Sequence, residues 1–388
     1  MLSLSKMKRI AAITLLFALL LCACSTPADP PAATPSAPAS TPGTDARPTE
    51  TPTAAETPEP EEVPTEEPET TPGAEEETGS EPEAAEPETT PVPESSPKPT
   101  PEPTPEPTPE TTPGPVVDES VLLYFDGIYF EPRSAVDEAA VTRLAEKMTS
   151  LRDSYFPEND VYYALIPDKS WYFRDRTDKY FDHEAISGSL AAQLEGFTAI
   201  DLSGSLSASD YYATDPHWRQ EKLSSAVSAL SGAMGFAHSA SAWTSSSAGS
   251  FVGAYSKKAE GLPGETLYYL TNEAIDSAVV DNFQQPEFRQ VYDTAKFSSN
   301  GYDIFLSGAT PLTVMENPLA DSEKELVIFR DSFGSSIAPL MLEGYSKITL
   351  VDLRYMVSSL LPDYVDLTNA DVLFLYCDEL VNSSYLLK

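Results

Sequence analysis

From residue 116 onward, short apolar runs alternate with stretches whose apolar residues recur at helical spacing. Val121-Leu122-Leu123-Tyr124-Phe125 reads as a strand, Asp126-Gly127 as a turn, and Ile128-Tyr129-Phe130 as the partner strand. Val141, Leu144, Ala145, Met148 and Leu151 then fall on one face of a helix, with Ser134 as its expected cap. Residues 161–166 form a continuous apolar strand ending at Pro167-Asp168-Lys169. Residues 197–202 form another, with a helix expected from about His217 to Met234. Between Ala237 and Asn317 the pattern is loop-rich, with a β signal at residues 266–270, and sets no order of elements. The last third is regular again: strand 326–329, helix 335–342, strand 347–353, a helix near 356–361 and strand 371–376. Strands alternating with helices predict an α/β domain whose mostly parallel sheet is covered by helices on both faces. In such sheets ligands bind at the C-terminal ends of the strands.

Upstream of the domain the pattern differs twice. Lys6, Lys8 and Arg9 precede an apolar run of about twelve residues, too short for a bilayer core, which takes about twenty. The run ends in Leu21-Cys22-Ala23-Cys24, which resembles a bacterial lipobox. That implies a lipoprotein signal peptide over residues 1–23, with Cys24 lipidated and the protein extracytoplasmic on the cell membrane. An ordinary secretory signal with incidental cysteines is the alternative. Cys377 would then be the one remaining thiol, so the domain has no internal disulfide and depends on its core. Residues 24–115 are rich in Thr, Pro, Glu and Ala and almost lack large hydrophobes. Such a segment cannot offset its ordering entropy, so a disordered stalk is expected, reaching between about 50 Å coiled and about 280 Å extended.

The formal net charge is −37, and 21 acids against two bases lie between Ser25 and Pro115. About half of the excess therefore belongs to the stalk. The domain, residues 116–388, remains acidic without a Lys/Arg cluster, which argues against nucleic acid or anionic lipid as partners.

Three histidines, His183, His217 and His238, limit where serine chemistry can reside. His217 has a carboxylate two residues before it, in Thr214-Asp215-Pro216-His217-Trp218. Ser332, in Arg330-Asp331-Ser332-Phe333-Gly334, follows an apolar strand and precedes a helix start, the context that exposes a nucleophile. A serine hydroxyl needs a base to take its proton, and a carboxylate on the far ring nitrogen fixes the tautomer of that base. The backbone N–H of Ser332 is a candidate oxyanion donor. Helix capping explains the same residues differently, since Asp215-Pro216 and Asp331-Ser332 both suit helix N-termini. Trp218 reads as core, and Cys377 as a small buried hydrophobe.

The stretches 211–218, 327–334 and 350–355, with Ile166-Pro167-Asp168-Lys169 and Phe305-Leu306-Ser307-Gly308, resemble the DHHW family. That family is similar to the SGNH hydrolase-like domains of the alginate O-acetylation proteins AlgX and AlgJ. The resemblance implies an SGNH-hydrolase-like, flavodoxin-like fold with Ser332 as nucleophile, His217 as base and Asp215 as its orienting carboxylate. Pro216 replaces a histidine of the family signature, and Arg330 stands where many SGNH enzymes have glycine. Gly308 is a further candidate oxyanion donor. The implied activity is O-acetylation of a cell-surface or secreted polysaccharide, with a membrane-bound O-acyltransferase as acyl donor and with no cofactor or metal. A carbohydrate esterase using the same residues, or a non-catalytic envelope lipoprotein, are the competing readings.

Overall fold

The computed structural model describes residues 117–133 and 135–388. The signal segment, Cys24, the stalk and Ser134 lie outside the described residues. β1 (Leu123–Phe125) and β2 (Ile128–Phe130) form the expected hairpin, with Asp126 and Gly127 at φ 49° and 88°, the left-handed values that a tight two-residue turn demands.

The central sheet has seven strands: β3 (Val161–Ile166), β4 (Thr198–Asp201), β7 (Val279–Asn282), β8 (Leu312–Glu316), β9 (Glu325–Arg330), β10 (Lys347–Val351) and β11 (Ala370–Cys377). Their spatial order is β4-β3-β11-β9-β10-β8-β7. The first five in that order are parallel, while β8 runs antiparallel to both β10 and β7. A separate antiparallel pair, β5 (Thr244–Phe251) and β6 (Glu265–Thr271), occupies the middle of the chain.

Period-two alternation divides the apolar residues between two cores. On β9, Leu326 and Ile328 enter one cluster with α3 (Ser224–Met234), through Ala226, Val227, Leu230 and Met234. Val327 and Phe329 enter the other, with α1 (Glu138–Tyr155) and α2 (His183–Ala191). Burial on each side contributes about 1.5–3 kcal/mol per fully enclosed Val or Leu, so a sheet apolar on both faces is held by both helix layers.

Four expectations are corrected. The cap of α1 is Asp137, whose Oδ1 accepts the N–H groups of Ala139 and Ala140 at 3.0 and 3.2 Å. The helix expected from His217 begins only at Ser224, because the chain first closes an antiparallel bridge between Tyr211 and Trp218. Residues 334–344 form one α-turn, Gly334–Ile337, continued as a 3-10 helix, Ala338–Gly344. The helix expected near 356–361 is a 3-10 turn, Ser358–Leu360, leading into the single α-turn Leu361–Tyr364.

Candidate active site

Residues 212–217 form a loop closed by the Tyr212 N–H, which donates to the His217 carbonyl at 3.0 Å. Its polar groups are satisfied from several directions. Glu265, at the start of β6, accepts the N–H groups of Ala213 and Thr214, each at 3.0 Å. The Ala213 carbonyl accepts the Tyr129 N–H, and the Thr214 carbonyl accepts the Tyr255 N–H. Lys169 donates from below to the carbonyls of Tyr212 and Asp215 at 2.9 and 2.8 Å. Gly253 passes so close that a Cβ there would lie 2.3 Å from the Asp215 Cβ. That approach lets the next N–H, of Ala254, donate to Asp215 Oδ2 at 2.8 Å.

Ser332 is held by the residue before it. Asp331 Oδ1 accepts the Phe333 N–H at 3.0 Å, and Oδ2 accepts the Cys377 N–H at 2.7 Å, tying the turn after β9 to the end of β11. Gly334 is required by close packing, since a Cβ there would meet the Arg330 Cβ at 2.6 Å.

These supports bring Asp215, His217 and Ser332 together. Nδ1 of His217 lies 2.6 Å from Asp215 Oδ1, and Nε2 lies 2.7 Å from Ser332 Oγ. The Asp215 side chain is 2% exposed and that of His217 16%, while Ser332 is half-buried, so the open end of the relay is the serine. Burial by itself would raise the Asp215 carboxyl; the facing imidazole and the N–H groups of Ala254 and His217 more than offset it and hold the group below its ordinary range. An ionised carboxylate only accepts, so it requires the proton on Nδ1 and leaves Nε2 as acceptor for the serine O–H. The ring is fixed by Tyr302, stacked at 3.8 Å between centroids and 10° between planes, and by Phe333 at 4.8 Å.

Asp215 is no helix cap. Its Oδ1 accepts the His217 N–H at 3.0 Å, a side-chain turn two residues long. Asp331 makes the same kind of turn with the Phe333 N–H and does not cap the helix that follows, which starts from Phe333 without a side-chain cap, so the capping explanation fails at both places. The N–H of Ser332 donates to no other described residue, which leaves it available to an oxyanion. Gly308 is not so placed: its N–H donates to the Phe305 carbonyl at 3.1 Å, closing a turn in which Leu306, Ser307 and Gly308 all have positive φ. Arg330 is fully buried. Its Nη1 lies 3.3 Å from the Asp331 carbonyl and 3.6 Å from Asp352 Oδ2. Cys377 packs against both cores, its thiol pushed well up by burial.

Sequence reasoning missed the bracing residues. Trp218 is buried core as expected, but its Nε1–H also donates to Ser336 Oγ at 2.8 Å and the Phe333 carbonyl at 3.2 Å, joining the two motifs. Tyr302 Oη lies 2.8 Å from the same Ser336 Oγ. The adjacency of Trp218 to His217 was the available signal; Tyr302 lies in the unpatterned middle segment and gave none.

The class is thus an α/β domain with a mostly parallel sheet, in which a serine, a histidine and an aspartate are in contact beyond the strand ends. The fold is shared with a DHHW family protein from Eubacterium siraeum, at 20% identity and TM-score 0.57, over 70% of this chain and 95% of that one. It is shared also with PatB1 of Bacillus cereus, free at 17% identity and TM-score 0.54, and carrying a sulfonyl adduct at 16% and 0.53. Both PatB1 comparisons cover 67% of this chain and 97% of that one. No protein-family model and no curated protein matches the chain.

Proposed function

We propose that the domain is an acyl-transfer enzyme, O-acetylating a cell-surface or secreted polysaccharide, with Ser332 as nucleophile, His217 as general base and acid, and Asp215 as the carboxylate that orients His217. The observation that carries this reading is the unbroken contact from Asp215 through His217 to Ser332. As Oγ attacks the acyl carbon, its proton passes to Nε2. The imidazolium, stabilised by Asp215, then returns that proton to the departing group, leaving an acyl ester on Ser332. In the second half an acceptor hydroxyl gives its proton to Nε2 as it attacks the ester, and the imidazolium passes that proton to Oγ as the acyl–Oγ bond breaks, which frees the serine. In both halves the Ser332 N–H, which donates to no other described residue, serves as donor to the oxygen that becomes negative.

Export on a Cys24 lipid anchor and delivery of acyl groups by a membrane-bound acyltransferase belong to the same reading, since acetyl-CoA has no obvious supply outside the cytoplasm. The transfer step rests on the family resemblance. The sulfonyl adduct of PatB1 suggests the reagent for a test. A sulfonyl fluoride or fluorophosphonate is expected to label the protein once, at Ser332, and to leave Ser332→Ala unlabelled. With p-nitrophenyl acetate as donor and a sugar oligomer as acceptor, acetylated sugar supports transfer and free acetate alone supports an esterase. Labelling of Ser332→Ala at the parent's rate would remove the serine mechanism.

A further inference from the structure

Lys169 opens the 3-10 turn Lys169–Phe173 after β3 and is 1% exposed. The backbone beside it is pinned. Asp168 accepts the Ser170 N–H at 2.9 Å and two Arg133 contacts at 3.0 and 2.6 Å, while its own N–H donates to Asp378 Oδ2 at 2.9 Å. From this base Lys169 Nζ enters the 212–217 loop, donates to the Tyr212 and Asp215 carbonyls, and lies 4.6 Å over the Tyr255 ring. Two carbonyl oxygens and a ring face are three electron-rich partners, and among the described residues no group donates to Nζ. That is the setting of an ammonium with three N–H donors, not of an amine with a lone pair. The bonded carbonyls bracket the segment from which the Asp215 carboxylate projects, so the ammonium fixes its direction.

We propose that Lys169 is a positioning residue for the Asp215–His217–Ser332 relay and that loss of its proton sets the alkaline limit of activity. The inference rests on the acyl-transfer reading of that relay. The groups facing the ammonium come from every side: Asp215 from the loop, Asp168 from its own turn, Glu265 from β6, Arg133 from the segment after β2, and the Tyr255 phenol. Burial pulls the Lys169 amine down to about 7, against the three carboxylates that support its charge; Arg133 adds to the pull. The Tyr255 phenol is pushed well up by burial and stays neutral. Above its pKa, Lys169 keeps two N–H groups but loses the charge that strengthens both carbonyl bonds and the contact with the Tyr255 ring, onto which a lone pair can now turn. Both ties to the loop weaken, and Asp215 holds the imidazole in line less firmly.

The test measures p-nitrophenyl acetate hydrolysis and fluorophosphonate labelling from pH 6 to 10, on the full chain and on its Lys169→Arg and Lys169→Met variants. The parent is expected to lose activity on the alkaline side. Lys169→Arg, charged throughout, should stay within about tenfold of the parent and move that loss upward by about one pH unit or more. Lys169→Met, if its circular dichroism matches the parent, should lose about 10- to 100-fold in kcat with KM nearly unchanged, and show no alkaline fall. A parent whose activity is flat from pH 7 to 10 overturns the proposal, as does a Lys169→Met protein with the parent's kcat and profile. Should Lys169→Met not fold, an unmoved alkaline midpoint in Lys169→Arg overturns it alone. A parent that does not label at Ser332 overturns the acyl-transfer reading, and this inference with it. A labelled parent indifferent to residue 169 overturns only this one.

Discussion

Asparagine caps a helix as well as aspartate does, yet it cannot do what Asp215 does here. Asp215 accepts two backbone N–H groups, of His217 and Ala254, and lies against a ring nitrogen that must donate to it. A carboxamide turns an NH₂ toward either Ala254, where two donors then face each other, or His217, where the imidazole takes the tautomer whose Nε2 cannot accept the serine proton. Asp215→Asn is therefore expected to fold and to lose about 10³–10⁴-fold in kcat. Near-parent activity in steady-state assays would show that the carboxylate is only structural. The same group ties stability to pH. Because its folded pKa is depressed, its contribution is present above the ordinary aspartate pKa of about 4 and is lost as pH falls through the lower folded value. The difference in urea midpoint between parent and Asp215→Asn should accordingly be larger at pH 7 than at pH 3.

At the scale of elements, legibility followed hydrophobic contrast. β3, β9, β10 and β11 are buried on both faces and were read from their apolar runs. β5, Thr-Ser-Ser-Ser-Ala-Gly-Ser-Phe, has one buried residue and leaves no such trace. β7 and β8 sit beyond β10 in antiparallel register, among loops that obscure their short alternation. The Asp-Pro pair at 215–216 looked like a helix start because local rules for caps and for tight loops use the same residues; the Tyr211–Trp218 bridge decides for the loop. Relay residues were found because histidines are few, whereas Lys169, Tyr302 and Ala254 act through contacts distant in sequence. Two element-level outcomes follow. Asp137→Ala removes the cap of α1 and should cost about 1 kcal/mol in urea unfolding, with Asp137→Asn close to the parent. Gly253→Ala forces a Cβ into the Asp215 loop, and its labelling rate should fall about 100-fold while global unfolding shifts by about 1–3 kcal/mol.

For the whole molecule, the expected arrangement is a lipid anchor, an acidic stalk and an enzyme at its end. A palmitate analogue should label the parent and not Cys24→Ala. Limited proteolysis within residues 24–115 should release a fragment that keeps the parent's reactivity toward a fluorophosphonate. Label persisting on Cys24→Ala would remove the anchor from this picture. The relay joins residues 115 apart in sequence, and the turn that presents Ser332 is tied by Asp331 to Cys377 at the end of β11. A chain in which these segments have not yet packed together therefore lacks the proposed relay. If Ser332 reacts as proposed, a covalent serine reagent would count folded molecules at the same time as reactive sites, so one titration would measure both the maturity of a preparation and its reactive content.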